Sequence, residues 1–132
     1  MSEINVAVVD DDPVELVLLK EMATEVVGHV SMRGFDKIEH FLDEDINAFD
    51  VVFLDRRMPP YRDYTDTLPM LAAAGYRNRV ILMTAHDPGL EVGTHEFRIS
   101  GPIDKLDLLK PEIFGAVIRD EPVPLNSWTA RI

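Results

Sequence analysis

The sequence predicts an α/β fold, a doubly wound five-stranded parallel sheet with helices on both faces. Three observations carry this. Short, unbroken apolar runs such as Val51-Val52-Phe53-Leu54 alternate five times with helix-like or loop segments. Such runs read as strands buried on both faces, and their alternation with helices implies right-handed parallel crossovers. The strand-like runs also end on polar side chains: Asp10, Asp11 and Asp12, then Asp55, then Thr84, then Asp104-Lys105. Finally, 132 residues with 46% apolar content suit one domain with one sheet.

The elements follow in order. Ile4 to Val9 is the first strand. Asp12-Pro13-Val14-Glu15 reads as a helix start, with Asp12 as N-cap, Pro13 as the first helical residue and Glu15 completing a capping box. Leu16, Leu19, Ala23 and Val26 then recur on one helix face, and Gly28 ends it. His29 to Phe35 is the second strand, and Asp36 is the expected cap of a second helix with Ile38, Phe41 and Leu42 inward. Val51 to Leu54 is the third strand, closed by Asp55, with Pro59 and Pro60 barring further strand or immediate helix. A short third helix is expected over Leu68 to Ala74, stopped by Gly75. Val80 to Met83 is the fourth strand. Pro88 to Phe97, broken by Gly89 and Gly93, predicts a fourth helix that is short or irregular. Gly101-Pro102-Ile103 is a brief fifth strand, and Pro111 opens a last helix with Ile113, Phe114, Val117 and Ile118 inward. Residues 1–120 are read as one domain and 121–132 as a C-terminal tail too short for an output domain, with Trp128 packing that tail.

Composition excludes several function classes. With 24 acidic against 13 basic residues, the net charge is −11. Such a surface repels nucleic-acid backbones and anionic membranes, so neither is an expected partner. There is no cysteine, hence no disulfide, thiol nucleophile or cysteine zinc site. The four histidines lie too far apart for a ligand pair on one helix; His86, beside Thr84, reads as a solvated loop residue. Neither a signal-peptide pattern nor a membrane-length apolar run is present, and a cytoplasmic location is expected.

In a parallel sheet all strand ends of one polarity share an edge, and ligands bind there. If the first, third and fourth strands are central neighbours, Asp10, Asp11 and Asp55 meet in one pocket, with Thr84 and Lys105 beside them. Two carboxylates ~5 Å apart at an effective dielectric of ~20 repel by roughly 3 kcal/mol. Protonation or a cation relieves that, and all-oxygen ligands with room for water suit Mg²⁺. A metal that neutralises phosphoryl oxygens, with Thr84 and Lys105 to bind them, suits phosphoryl transfer onto Asp55. Each residue alone has a plainer reading: Asp12 as a helix cap, Thr84 as a strand-end hydroxyl, Lys105 as a surface charge.

At these residues the sequence resembles the receiver domain of two-component response regulators, a flavodoxin-like topology. The match is Val9-Asp10-Asp11-Asp12-Pro13, Leu54-Asp55 with Met58-Pro59, Met83-Thr84-Ala85 and Asp104-Lys105, and it spans Ile4 to Arg119. The resemblance implies that Asp55 is the phosphoacceptor. It implies Mg²⁺ held by Asp10, Asp11, Asp55 and the backbone carbonyl of Arg57, and a phosphoryl group held by Thr84 and Lys105. It further implies a non-enzymatic phosphorelay switch, loaded by a sensor histidine kinase or a histidine phosphotransfer protein and read by a downstream protein target.

The sequence departs from the family pattern where Leu106 follows Lys105 in place of proline and Pro102 stands where an aromatic switch residue is common. Arg56 and Arg57 flank the acceptor; the plainer reading makes both solvated loop residues. Pro102 favours an alternative, a phosphorylation-independent protein-binding module on the same fold. A flavodoxin is disfavoured because Asp10 to Asp12 would repel phosphate. An aspartate-dependent phosphohydrolase is disfavoured because Arg57 stands where its second Asp would be.

Overall fold

A computed structural model describes residues 3–61, 64–84 and 97–121. Five strands form one parallel sheet: β1 (Ile4–Val9), β2 (Val30–Phe35), β3 (Val51–Asp55), β4 (Arg79–Thr84) and β5 (Arg98–Asp104). Their order is β2-β1-β3-β4-β5, so β1, β3 and β4 are central neighbours, as expected. Among the described residues the α-helices are α1 (Pro13–Val26), α2 (Ile38–Leu42), α3 (Tyr64–Ala73) and α4 (Pro111–Ile118). Short 3₁₀ turns cover Ile46–Ala48 and Asp107–Leu109.

The period-2 pleat splits each central strand between two cores. Ala7, Val9, Val52, Leu54, Val80 and Leu82 face one side, packed with Phe41 of α2 and Leu68 and Leu71 of α3. Val6, Val8, Val51, Phe53, Ile81 and Met83 face the other, packed with Leu19 and Met22 of α1 and Phe114 and Val117 of α4. All five β3 residues are buried, which is why the run is apolar without alternation until Asp55.

Four expectations need correction. Asp36 does not cap α2: the N-cap is Lys37, without a side-chain cap bond, and Asp36 pairs instead with His40 at 2.9 Å. The capping box on α1 is only half formed. Asp12 Oδ1 accepts from the Val14 amide at 3.0 Å, but the Asp12 amide donates to Asp10 Oδ1 at 2.9 Å rather than to Glu15. The third helix starts at Tyr64, with Pro69 inside it. The fifth strand has seven residues, Arg98–Asp104, because an edge strand with one ladder partner does not need an unbroken apolar run. The region Pro88 to Glu96, His86, and the tail from residue 122, with Trp128, lie outside the described residues.

Candidate functional site

The register sets the site. Val9 pairs with Leu54, Asp55 with Met83, and Thr84 with Asp104, so β1, β3, β4 and β5 end nearly level. Asp10 therefore emerges beside Asp55 where the strand order reverses, the crevice in which open α/β sheets bind ligands. Carboxylate oxygens of Asp10, Asp11 and Asp55 all lie within 4.8 Å of one another. Asp10 and Asp55 are buried and Asp11 is exposed, so the cluster opens to solvent on one side.

Lys105 closes the other side. Its Nζ lies 2.8 Å from Asp10 Oδ2 and 3.1 Å from Asp55 Oδ1. Its amide donates to the Thr84 carbonyl at 2.9 Å, which ties the start of the segment after β5 to the end of β4. Thr84 is itself buried. The Met83 carbonyl accepts the Arg56 amide at 2.9 Å and the Tyr64 hydroxyl, so the chain leaving Asp55 is fastened to the neighbouring strand. Arg57 lies two residues beyond Asp55 on that loop and is exposed. Asp10, Asp11, Asp55 and Lys105 thus share one pocket, with Thr84 at the adjoining strand end. On the β2 side the acidic edge runs into a cavity of about 450 Å³, lined by Asp10, Asp11, Asp12, Leu16, Gly34 and Asp36 among others.

The electrostatics match this crowding. Burial pushes the Asp55 carboxyl up to about 6; the charge of Asp10 adds to the rise and Lys105 opposes it. Burial acts to lower the Lys105 ammonium, but its hydrogen bond to Asp10 and the charge of Asp55 outweigh it, and the net shift is upward. Glu15 was missed as a site residue in the sequence because its position fits a cap. It is buried with Leu19, Met22 and Ala23 on the inward stripe of α1, and burial pushes its carboxyl up to about 7. The signal was present: Glu15 stands four residues before Leu19 and eight before Ala23, on the same helix face.

A hard, all-oxygen donor set with a solvent-open side fits a small divalent cation. The fold and site together define a doubly wound α/β domain with an acidic, lysine-closed pocket at its switch point. No family model matches the sequence, and no curated protein matches it. Solved structures do. A response regulator from Colwellia psychrerythraea is 30% identical, with 67% of this chain and 69% of that chain covered and a TM-score of 0.53. The beryllofluoride-activated DrrB receiver domain is 27% identical over 89% of this chain and 96% of that one, with a TM-score of 0.62. The RcsB response regulator of Salmonella typhimurium, at 18% identity, covers 99% of this chain and 67% of that one with a TM-score of 0.73, a likeness of fold. The chain belongs to the response regulator receiver domains.

Proposed function

We propose that this receiver domain is a phosphoryl-accepting switch of a two-component phosphorelay, modified on Asp55 with Mg²⁺ bound and acting through protein–protein contacts. The observation that carries the reading is the Asp10–Asp11–Asp55 cluster with Lys105 lying across two of its members. Asp10, Asp11, Asp55 and the Arg57 carbonyl would hold the ion. When bound, Mg²⁺ neutralises charge on the transferring phosphoryl oxygens.

The chain's own residues account for the rest. An Asp55 oxygen attacks phosphorus, an O–P bond forms, and the P–N bond to a donor phosphohistidine breaks. The departing imidazole keeps the electron pair and takes its proton from solvent. Lys105, already 3.1 Å from Asp55, would follow the new charge, and the Thr84 hydroxyl would bind another phosphoryl oxygen. The product carries about −1.5 to −2 charges in place of the single charge of the Asp55 carboxylate, and sets them further out on three oxygens, which biases the strand ends toward a second arrangement.

Val14, Val17 and Leu106 are exposed apolar side chains, at 58, 54 and 74%. They lie on α1 and beside the Asp107–Leu109 turn that packs against α1, flanking the pocket. This face suits a histidine kinase or histidine phosphotransfer partner. Pro102 supports a second reading, a binding module indifferent to phosphate. Beryllofluoride with Mg²⁺, followed by fluorine NMR, separates the two. Bound fluoride resonances in wild type that vanish in Asp55→Ala support the switch; partner binding that is equal with and without beryllofluoride supports the module.

A further inference from the structure

Glu15, buried on α1 within reach of the charges of this pocket, is a group that the phosphoryl-transfer reading does not use. It is only 7% exposed, yet its Oε1 has no hydrogen-bond partner among the described residues. A buried, unpaired carboxylate oxygen is costly and calls for a reason. The charged group acting on Glu15 most strongly is Lys105, followed by Asp10, Asp12 and Asp55. Glu15 also sits in the first turn of α1, where side chains lean back toward the helix N-terminus and so toward the strand ends.

The pocket has a conflict that this residue can resolve. Lys105 holds Asp10 and Asp55, the same carboxylates that a divalent cation would take. If the cation displaces Lys105, an ammonium is left half-buried without its partners. We propose that Glu15 is a positioning residue that receives the Lys105 ammonium when a divalent cation occupies Asp10, Asp11 and Asp55. Four carboxylates then share three positive charges, and ion and lysine coexist in one pocket. The lysine remains close enough to meet a phosphoryl group on Asp55. This inference rests on the proposed cation site and adds a second resting place for Lys105.

The test is a double-mutant cycle read by Mg²⁺ calorimetry on wild type, Glu15→Gln, Lys105→Met and the double variant, with circular dichroism to verify folding. Glu15→Gln should weaken Mg²⁺ by about tenfold when Lys105 is present, a typical coupling between neighbouring charges. With Lys105→Met in place, the same change should weaken it by less than about twofold, because no displaced ammonium remains to be housed. A merely structural role for Glu15 would not produce this dependence on Lys105. If Glu15→Gln fails to fold, Glu15→Met, of similar volume, carries the same cycle. Unchanged affinity in Glu15→Gln, or an equal loss in both backgrounds, overturns the inference and leaves the cation site standing. Wild type that binds no Mg²⁺ overturns both.

Discussion

At the scale of single residues, the pocket is a balance between four acids and one lysine, and pH should expose it. Asp55 and Glu15 have folded-state values raised to about 6 and about 7, above their ordinary 3.8 and 4.5. A raised carboxyl means that the folded protein holds its proton more tightly than the unfolded chain does. The stabilisation is fully present below about pH 4 and is lost as pH rises through 6 to 7. Metal-free protein should therefore lose melting temperature across that window from these two groups. Mg²⁺ should restore it, with a larger rise in Tm at pH 7.5 than at pH 5. Thermal scans with and without Mg²⁺ at the two pH values check this; an equal or smaller rise at pH 7.5 contradicts it.

At the scale of elements, what was legible depended on how much of each segment is buried. β1, β3 and β4 read directly because their residues have apolar neighbours on both faces. With those strands fixed, the placement of Asp10, Asp11, Asp55, Thr84 and Lys105 at one edge followed from parallel topology alone. β5 was read too short because Arg98, Ile99 and Ser100 lie on an edge strand, where backbone pairing with β4 rather than side-chain burial sets the length. The cap of α2 was misread because Asp36 fits a cap by type, but its side chain bonds to His40. Glu15 was hidden for a related reason: acid in a first helical turn usually serves the helix end, whereas here it faces the core.

β5 also carries a prediction. Gly101 has φ +98°, and a Cβ there would meet the Ile103 amide nitrogen and the Leu82 carbonyl oxygen, each at 2.8 Å. Neither is a flexible side-chain end, so Gly101→Ala must strain the ladder at its register shift. We expect a loss of about 2 kcal/mol in urea unfolding. Wild-type stability in Gly101→Ala would show that the backbone there is not confined as described.

At the scale of the whole molecule, the acidic pocket lies at the carboxyl ends of the strands, and the exposed Val14, Val17 and Leu106 lie on α1 and at the start of the Asp107–Leu109 turn. On the proposed function, the pocket would carry the chemistry and these side chains the recognition of the donor. Val14→Asp and Leu106→Asp should slow phosphoryl transfer from a phosphohistidine protein by tenfold or more, on the order of the cost of a lost apolar anchor. Labelling by acetyl phosphate should be left within about twofold, since a small donor needs only the pocket. Equal losses with both donors would place these side chains inside the chemistry instead.

On the proposed function, Asp55 carries the phosphoryl group in a pocket built with Asp10 and Asp11. The most direct test is acetyl phosphate with Mg²⁺, then borohydride, which reduces an acyl phosphate to homoserine, and peptide mass mapping. Homoserine should appear at position 55, dependent on Mg²⁺ and abolished by Asp11→Ala. Homoserine at another carboxylate, or none from protein that has bound Mg²⁺, would contradict it.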